Sequence, residues 1–285
     1  MKTIIVATDF SINADSALKY ALEINQILKA KIVLFHSYQI FVDASNLLKP
    51  IPTEKEIKNS IFNLLENQKH KTLSSTGLIK SDIELVTSAG PFIDQLLSLT
   101  EKKNAELIIL GTKGVSSVKE IFMGTNTFHA IERVNCPLIA IPQTSNYHKI
   151  NKIVFATNYV ENDFENINKV VDFAKYFNAQ VIMLHVETGK PSKSYTYNQT
   201  EQFFQHVKES TNYENLTFKL IENKNVEEAI SLYLDEIKAD LFALTNRQRS
   251  LFQKLFDHSL TSKIINHIHL PLMVFHVKER GNYFL

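Results

Sequence analysis

The sequence contains a single cysteine, Cys136, among 285 residues. A lone thiol excludes an intramolecular disulfide and a cysteine-rich metal site. The chain also lacks an excess of charge, since 31 basic and 30 acidic side chains leave a net charge of +1. Charge alone therefore gives no reason to expect binding to nucleic acid or to a membrane surface.

Long apolar runs are missing as well, because no stretch approaches the roughly 20 residues of a transmembrane helix. The N-terminal apolar run meets Thr8 and Asp9 within a few residues, which does not fit a signal-peptide core. We therefore expect a soluble, cytoplasmic protein. Its hydrophobic fraction of 44% and its length of 285 residues fit about two ordinary globular domains.

Glycine is scarce, with seven residues in the chain, yet Gly111, Gly114 and Gly124 all fall within one short stretch. Their spacing is G-x-x-G, then nine residues, then glycine followed by Thr125. The stretch follows the apolar run ELIIL and precedes a helical pattern. A backbone without Cβ atoms can approach a ligand closely, and a helix N-terminus adds free N–H donors. This arrangement predicts a phosphate-binding loop between a strand and a helix.

The two halves of the sequence are similar to each other. TIIVAT at 3–8 matches KIVFAT at 152–157, and AKIVLFHSY matches AQVIMLHVE at the second strand of each half. Short apolar runs alternate with amphipathic helical patterns, so each half predicts the order β-α-β-α-β-α-β-α-β. That order implies a parallel sheet with helices on both faces, duplicated within one chain. We place the two domains at 1–145 and 150–285.

In such sheets, ligands bind beyond the carboxyl ends of the strands, where the strand order reverses. Thr8 and Asp9 follow the first strand, His36 and Ser37 end the second, and the glycine stretch follows the fourth. Asp9 can accept a hydrogen bond from a ribose hydroxyl or an adenine amino group, while the glycines and Thr125 suit phosphates. The sequence predicts a nucleotide site here. The alternative is a plain βα loop in which Asp9 serves the helix start.

These features resemble the universal stress protein family over essentially the whole chain. Its ATP-binding members carry G-2x-G-9x-G-(S/T), which residues 111–125 match without a gap, and VATDFS and FHS in the first half are similar to the family too. The resemblance implies α/β domains with doubly wound five-stranded parallel sheets in the order 3-2-1-4-5, like the adenine-nucleotide α-hydrolases. It also implies that the halves pair through their fifth strands, PLIAIP and PLMVFH, as an internal pseudo-dimer. A further homodimer is compatible with it.

The resemblance implies one ATP, with or without Mg²⁺, in the first half. Asp9 would contact the adenine, helped by the backbone at Ser37, with Thr8 beside it at the end of the first strand. The residues implied along the ribose and phosphates are Gly111, Lys113, Gly114, Gly124, Thr125 and Asn126.

The second half departs from the motif at the corresponding positions. Thr245, Gln248 and His258 stand where the first half has its three glycines, and Asn158 stands in place of Asp9. Larger side chains thus replace the bare backbone, and the acidic group is lost. We therefore expect one nucleotide per chain, bound by the N-terminal half.

No catalytic constellation is visible, because the chain has no nucleophile elbow, no metal-ligand spacing and no Walker lysine motif. His36 and His185 occupy equivalent strand ends, where hydrogen-bonded imidazoles are a better explanation than metal ligands. Our first hypothesis is a module whose ATP occupancy sets the conformation or partner surface of a stress-response protein. The alternatives are a nucleotide-free scaffold for an unknown protein partner and a slow ATPase, for which no base can be named.

Overall fold

The computed structural model describes residues 2–39, 53–78, 82–112, 124–143, 145, 147–158, 161–188, 193–246 and 270–276, without the side chains of 161–162 and 193–200. The chain divides into two compact units, Met1–Asn146 and Tyr147–Leu285. Among the described residues, no helix is long and apolar enough to cross a membrane.

The first unit alternates strands and helices along the chain. Its elements are β1 (Thr3–Ala7), α1 (Ile12–Leu28), β2 (Lys31–Tyr38), α2 (Glu54–Thr76), β3 (Ile83–Ala89), α3 (Phe92–Lys103), β4 (Leu107–Gly111), α4 (Thr125–Arg133) and β5 (Leu138–Ile141). The strands pair in parallel in the order β3-β2-β1-β4-β5. This confirms the predicted fold class and strand order, and it puts the reversal of order between β1 and β4.

The second unit repeats this layout. Its described elements are β6 (Lys152–Ala156), α5 (Glu161–Phe177), β7 (Gln180–Glu187), α6 (Lys193–Thr211), β8 (Leu216–Glu222), α7 (Val226–Ile237), β9 (Leu241–Asn246) and β10 (Leu272–His276). The strands pair in parallel in the order β8-β7-β6-β9-β10. The reversal of order therefore lies between β6 and β9. Pairing between the fifth strands, β5 and β10, stays a prediction.

The core of the first unit is formed by the strands that are covered on both faces. Every residue of β1 is buried, as is every residue of β5, and both strands are continuous apolar runs apart from Thr3. Such runs are typical of strands in parallel sheets with helices on both faces. The edge strand β3 is only partly buried, which agrees with its alternating sequence.

The helix starts use the signals that the sequence contains. Ser11 caps α1 by accepting a hydrogen bond from Ala14 N at 3.2 Å. Thr53 and Glu56 form a capping box at the start of α2. These caps fix where each helix begins, and the cap of α1 fixes the length of the turn that follows β1.

Cys136 lies just before β5. Burial raises the pKa of its thiol to about 12. The thiol is therefore protonated at neutral pH, which agrees with a packing role rather than a reactive one.

Candidate functional site

The candidate site is at the carboxyl ends of β1, β2 and β4. Ala7 is in register with Phe35 of β2, and Val6 with Ile109 of β4. Thr8 continues β1, since its N–H donates to the Phe35 carbonyl at 2.9 Å. Extending the two registers puts Thr8 between β2 and Gly111 of β4. The end of β1 is therefore the centre of the site.

The turn from β1 to α1 is held by its own side chains. Thr8 Oγ1 accepts a hydrogen bond from Phe10 N at 2.9 Å, and Asp9 Oδ1 accepts one from Ser11 N at 3.1 Å. Between them, Phe10 has a φ of 63°, in the left-handed region. A bulky residue rarely adopts this conformation, and such strain is concentrated at functional sites. Asp9 thus has the local role of a helix-start residue, and this role is compatible with a contact to a ligand.

His36 links the ends of β2 and β1. Its Nδ1 lies 2.7 Å from the Thr8 carbonyl oxygen, and its ring lies 4.6 Å from the Phe10 ring, centroid to centroid. A carbonyl can only accept, so Nδ1 carries the hydrogen. His185 makes the same contact with the Thr157 carbonyl at 2.8 Å in the second unit. The expectation of hydrogen-bonded imidazoles at these two positions is confirmed.

Gly111 is packed tightly against α1. A Cβ at this position would lie 2.7 Å from the carbonyl carbon and oxygen of Asn13, well inside van der Waals contact. The Gly111 carbonyl also accepts a hydrogen bond from Thr127 Oγ1 of α4 at 2.8 Å. The approach of α1 to β4 is thus sufficient reason for a glycine here. The expectation that the missing side chain serves a ligand alone therefore left out this packing role.

Gly124 is the N-cap residue of α4. Its φ of −67° and ψ of 148° are open to any residue. Its N–H donates to the Thr112 carbonyl at 2.5 Å, and Thr112 N donates to the Ile141 carbonyl at 2.9 Å. Thr125 and Asn126 follow as exposed residues in the first turn. The N-terminus of α4 is therefore tied to the ends of β4 and β5.

Ser37 completes the group at the neighbouring strand. It lies in β2, in register with Ser88 of β3, and is half-buried. Lys113 and Gly114 fall outside the described residues. The structure brings the other predicted residues together at the ends of β1, β2 and β4 and the start of α4: Thr8, Asp9, Ser37, Gly111, Gly124, Thr125 and Asn126.

Asn13 is a polar residue at this site that sequence analysis missed. It lies in the first turn of α1 and is 7% exposed. Its Oδ1 is buried and has no hydrogen-bond partner among the residues that the structure describes. The sequence feature that could have pointed to Asn13 is its position beside Ala14 and near Ala17, which line the buried face of the helix.

The corresponding point in the second unit is filled by polar side chains. Asp163 is fully buried, and its Oδ2 accepts hydrogen bonds from Thr157 Oγ1 at 2.9 Å and from Asn158 N at 2.8 Å. In the same unit, Asn166 Nδ2 donates to Thr245 Oγ1 at 3.1 Å. These four hydrogen-bonding side chains and the Asn158 backbone form one layer between α5 and the ends of β6 and β9.

The repeat shows what these side chains replace. The first strands start at residues 3 and 152, an offset of 149 (152 − 3), so Asp163 and Asn166 correspond to Ala14 and Ala17. Small apolar residues in the first unit are thus replaced by hydrogen-bonding residues in the second. The change of glycine to threonine at position 245 is visible in the sequence, whereas the roles of Asp163 and Asn166 depend on burial and on contacts that no sequence motif marks.

Among the described residues, no group of three His, Cys, Asp or Glu side chains could hold a metal ion. The described groups of the site that can form hydrogen bonds with a ligand are the Asp9 carboxyl group, backbone groups and the N-terminus of α4.

Known proteins match the chain in both sequence and structure. A universal stress protein of Methanocaldococcus jannaschii is 27% identical over 156 residues, which cover 49% of this chain and 94% of that protein. The crystal structure of a universal stress protein from Archaeoglobus fulgidus aligns over 97% of both chains, with a TM-score of 0.68 and 16% identity. Another universal stress protein, solved in complex with cAMP, is 21% identical and covers 49% of this chain and 96% of its own, with a TM-score of 0.38.

The model of the universal stress protein family matches residues 1–142 and again residues 149–276. The two matches together take in most of the chain, and each contains five of the parallel strands. The chain therefore belongs to the universal stress protein family, as a member with two such domains in tandem.

Proposed function

We propose that the first domain binds one molecule of ATP and that the second binds none. On this proposal, the chain is a nucleotide-responsive module of a stress response. The phosphates lie at the N-terminus of α4 and along residues 111–114, and the adenosine lies toward Asp9 and the backbone at Ser37. Lys113 and Gly114 keep the roles implied by the family motif.

The observation that carries the proposal is the N-terminus of α4, at the carboxyl edge of the sheet, which has no side-chain cap in the described part of the chain. Its N-cap residue, Gly124, has no side chain to accept a hydrogen bond, and no acidic residue lies in the first turn. By contrast, α1 and α7 have capping side chains from Ser11 and Asn225. Free first-turn N–H groups and the positive end of a helix dipole favour an anion such as phosphate.

The second support is the position of the acidic group. Asp9 lies in the turn that follows β1, and β1 is next to both β2 and β4 in the sheet order. A carboxylate at the point where strand order reverses suits the hydroxyl or amino donors of a nucleoside. An acidic residue at one end of the site and helix N–H donors at the other match the two chemically different ends of ATP.

The second domain has no acidic residue at the position of Asp9, and its residues corresponding to Gly124 and the start of α4 lie outside the described residues. Asn158 stands in place of Asp9, and the Asp163 carboxylate occupies the start of α5. Asp163 with Thr157, and Asn166 with Thr245, fill the space between α5 and the ends of β6 and β9 with hydrogen-bonded side chains. These contacts support one nucleotide per chain.

ATP acts on such a module by binding the folded domain and stabilising the conformation that accepts it. The first turn of α4 and the turn at Asp9 belong to different segments of the chain, so a nucleotide that contacts both would fix their relative position. That provides a surface that differs between the bound and free forms. We name no base for hydrolysis and derive no chemical step.

The proposal is tested by identifying the nucleotide that the protein carries. Purified protein is denatured, and the released small molecules are analysed by mass spectrometry, with and without Mg²⁺ during purification. We expect ATP at up to one equivalent per chain. In a separate binding experiment, added cAMP, the ligand of one solved member of the family, should compete with ATP when contacts to the adenosine end dominate the affinity. Absence of any nucleotide, together with no heat of ATP binding, favours the scaffold alternative and contradicts the proposal.

A further inference from the structure

Asn13 lies directly against the end of β4. Its backbone carbonyl would be 2.7 Å from a Cβ at Gly111, and its own Cβ would be 2.9 Å away. It follows the Ser11 cap by two residues, in the first turn of α1. Asn13 is therefore held within the group of strand ends and turns that form the candidate site.

The side chain of Asn13 is not explained by the contacts of the protein itself. Its Oδ1 is buried, and within the described part of the chain it has no hydrogen-bond partner. Ala14 and Ala17 on the same helix face are buried and apolar. Packing alone would favour an apolar residue at this position, because a buried acceptor without a donor costs folding free energy.

We propose that the Asn13 carboxamide is a further nucleotide-binding residue, whose oxygen accepts a hydrogen bond from a ribose hydroxyl. This rests on the proposed binding of ATP by the first domain. The oxygen needs a donor, which the phosphates do not supply, and the adenine amino group is assigned to Asp9. The ribose hydroxyls are the remaining donors of ATP. The terminal torsion of asparagine is broad, so the carboxamide can turn toward an entering hydroxyl.

The proposal makes Asn13 a determinant of specificity for ribonucleotides over deoxyribonucleotides. A site that has a polar group for a ligand hydroxyl discriminates against the analogue that lacks it, because the polar group is then left unpaired. Removing the polar group removes the discrimination. This distinguishes the role from a structural one, in which affinity for all analogues would change together.

The test compares ATP, 2′-deoxy-ATP and 3′-deoxy-ATP by calorimetry on the full chain. We expect the wild type to bind one of the deoxy analogues about tenfold more weakly than ATP. Asn13→Ala should bind ATP about tenfold more weakly than the wild type does. The dissociation constants of this variant for ATP and for that analogue should differ by no more than about twofold. The matched control is Asn162→Ala, at the corresponding first-turn position of α5, which should behave like the wild type.

Stability gives the second measurement. Because Oδ1 has no partner in the ligand-free protein, Asn13→Ala should unfold at an unchanged or higher temperature without nucleotide. Equal binding of all three nucleotides by the wild type, or a ratio that persists in Asn13→Ala, overturns the assignment of Asn13 while leaving ATP binding intact. A clear loss of stability in Asn13→Ala also overturns it. If the wild type binds no ATP at all, the proposed function fails as well.

Discussion

The imidazole Nδ1 of His36 donates a hydrogen bond to the Thr8 carbonyl over 2.7 Å. The bond joins the ends of β1 and β2 beyond the last residues of their ladder. His185 and Thr157 repeat it at 2.8 Å in the second domain. A contact present in both domains serves the fold, but only in the first domain does it also hold the turn that contains Asp9.

This difference can be measured with a matched pair of substitutions. We expect His36→Ala and His185→Ala each to lower the free energy of unfolding by about 1–2 kcal/mol, since each leaves a carbonyl without its donor. Only His36→Ala should also weaken ATP binding. Denaturant unfolding and calorimetry provide the two measurements, and an equal loss of ATP affinity in both variants would contradict the assignment of the site to the first domain.

Gly124 allows stability and binding to be separated. Aspartate is a good N-cap residue, and the φ and ψ of Gly124 accept it without strain. Gly124→Asp should therefore keep or slightly raise thermal stability, by a few tenths of a kcal/mol. Its negative charge at the proposed phosphate position should reduce ATP affinity by at least about tenfold, roughly 1.4 kcal/mol.

The control for this substitution is Gly124→Ser, which adds a capping hydroxyl without the charge. We expect it to bind ATP much more tightly than Gly124→Asp at similar stability. Unchanged ATP affinity in Gly124→Asp would show that the phosphates do not lie at the start of α4.

Substitution of Gly111, unlike that of Gly124, should lower the stability of the fold. A methyl group at this position meets the Asn13 backbone at 2.7 Å, so Gly111→Ala must displace α1 or β4. Overpacking of this kind costs about 1–3 kcal/mol. Gly124→Ala, where the backbone is unstrained, is the matched control and should cost much less. Comparable thermal midpoints for the two alanine variants would argue against the packing role of Gly111.

Glu84 of β3 makes stability depend on pH. Lys103 Nζ lies 2.6 Å from its Oε1 and Lys31 Nζ lies 2.8 Å from its Oε2. These ammonium groups, Lys103 before Lys31, hold the pKa of the Glu84 carboxyl below its ordinary value of 4.5. A carboxyl with a lowered folded-state pKa stabilises the protein above the unfolded-state pKa, and that contribution is lost as pH falls through the folded-state value.

Glu84→Gln should therefore be less stable than the wild type at neutral pH, by a margin that is modest because the three side chains are partly exposed. The margin should shrink as pH falls below about 4.5. Denaturant unfolding of both proteins at several pH values measures it. A margin that stays constant down to low pH would show that the ion pairs do not set the pKa of Glu84.

The fold was predictable because its signals are local and repeated. The apolar run TIIVAT became β1 at Thr3–Ala7, and ELIIL became β4 at Leu107–Gly111. The capping box of Thr53 and Glu56 before α2, and Pro91 before α3, are helix-start signals of the same local kind. The order of the strands came from the family resemblance, since periodicity alone does not say which strands are neighbours.

The site was predictable only where its residues are marked by unusual composition, as the glycines and Asp9 are. The packing of Gly111 against Asn13 joins residues about 100 positions apart, and no sequence pattern reports such a contact. Asp163 likewise resembles an ordinary polar residue at a helix start. Its burial depends on Thr157 and on the way α5 covers β6.

The central proposal is that the chain binds one ATP, in its first domain. Calorimetric titration of the nucleotide-free full chain with ATP measures the stoichiometry directly, and Asp9→Ala and Asn158→Ala assign the binding to a domain. We predict one ATP per chain, binding lost or strongly weakened in Asp9→Ala, and binding unchanged in Asn158→Ala. Two equivalent sites per chain, no binding, or equal sensitivity to both substitutions would contradict the account.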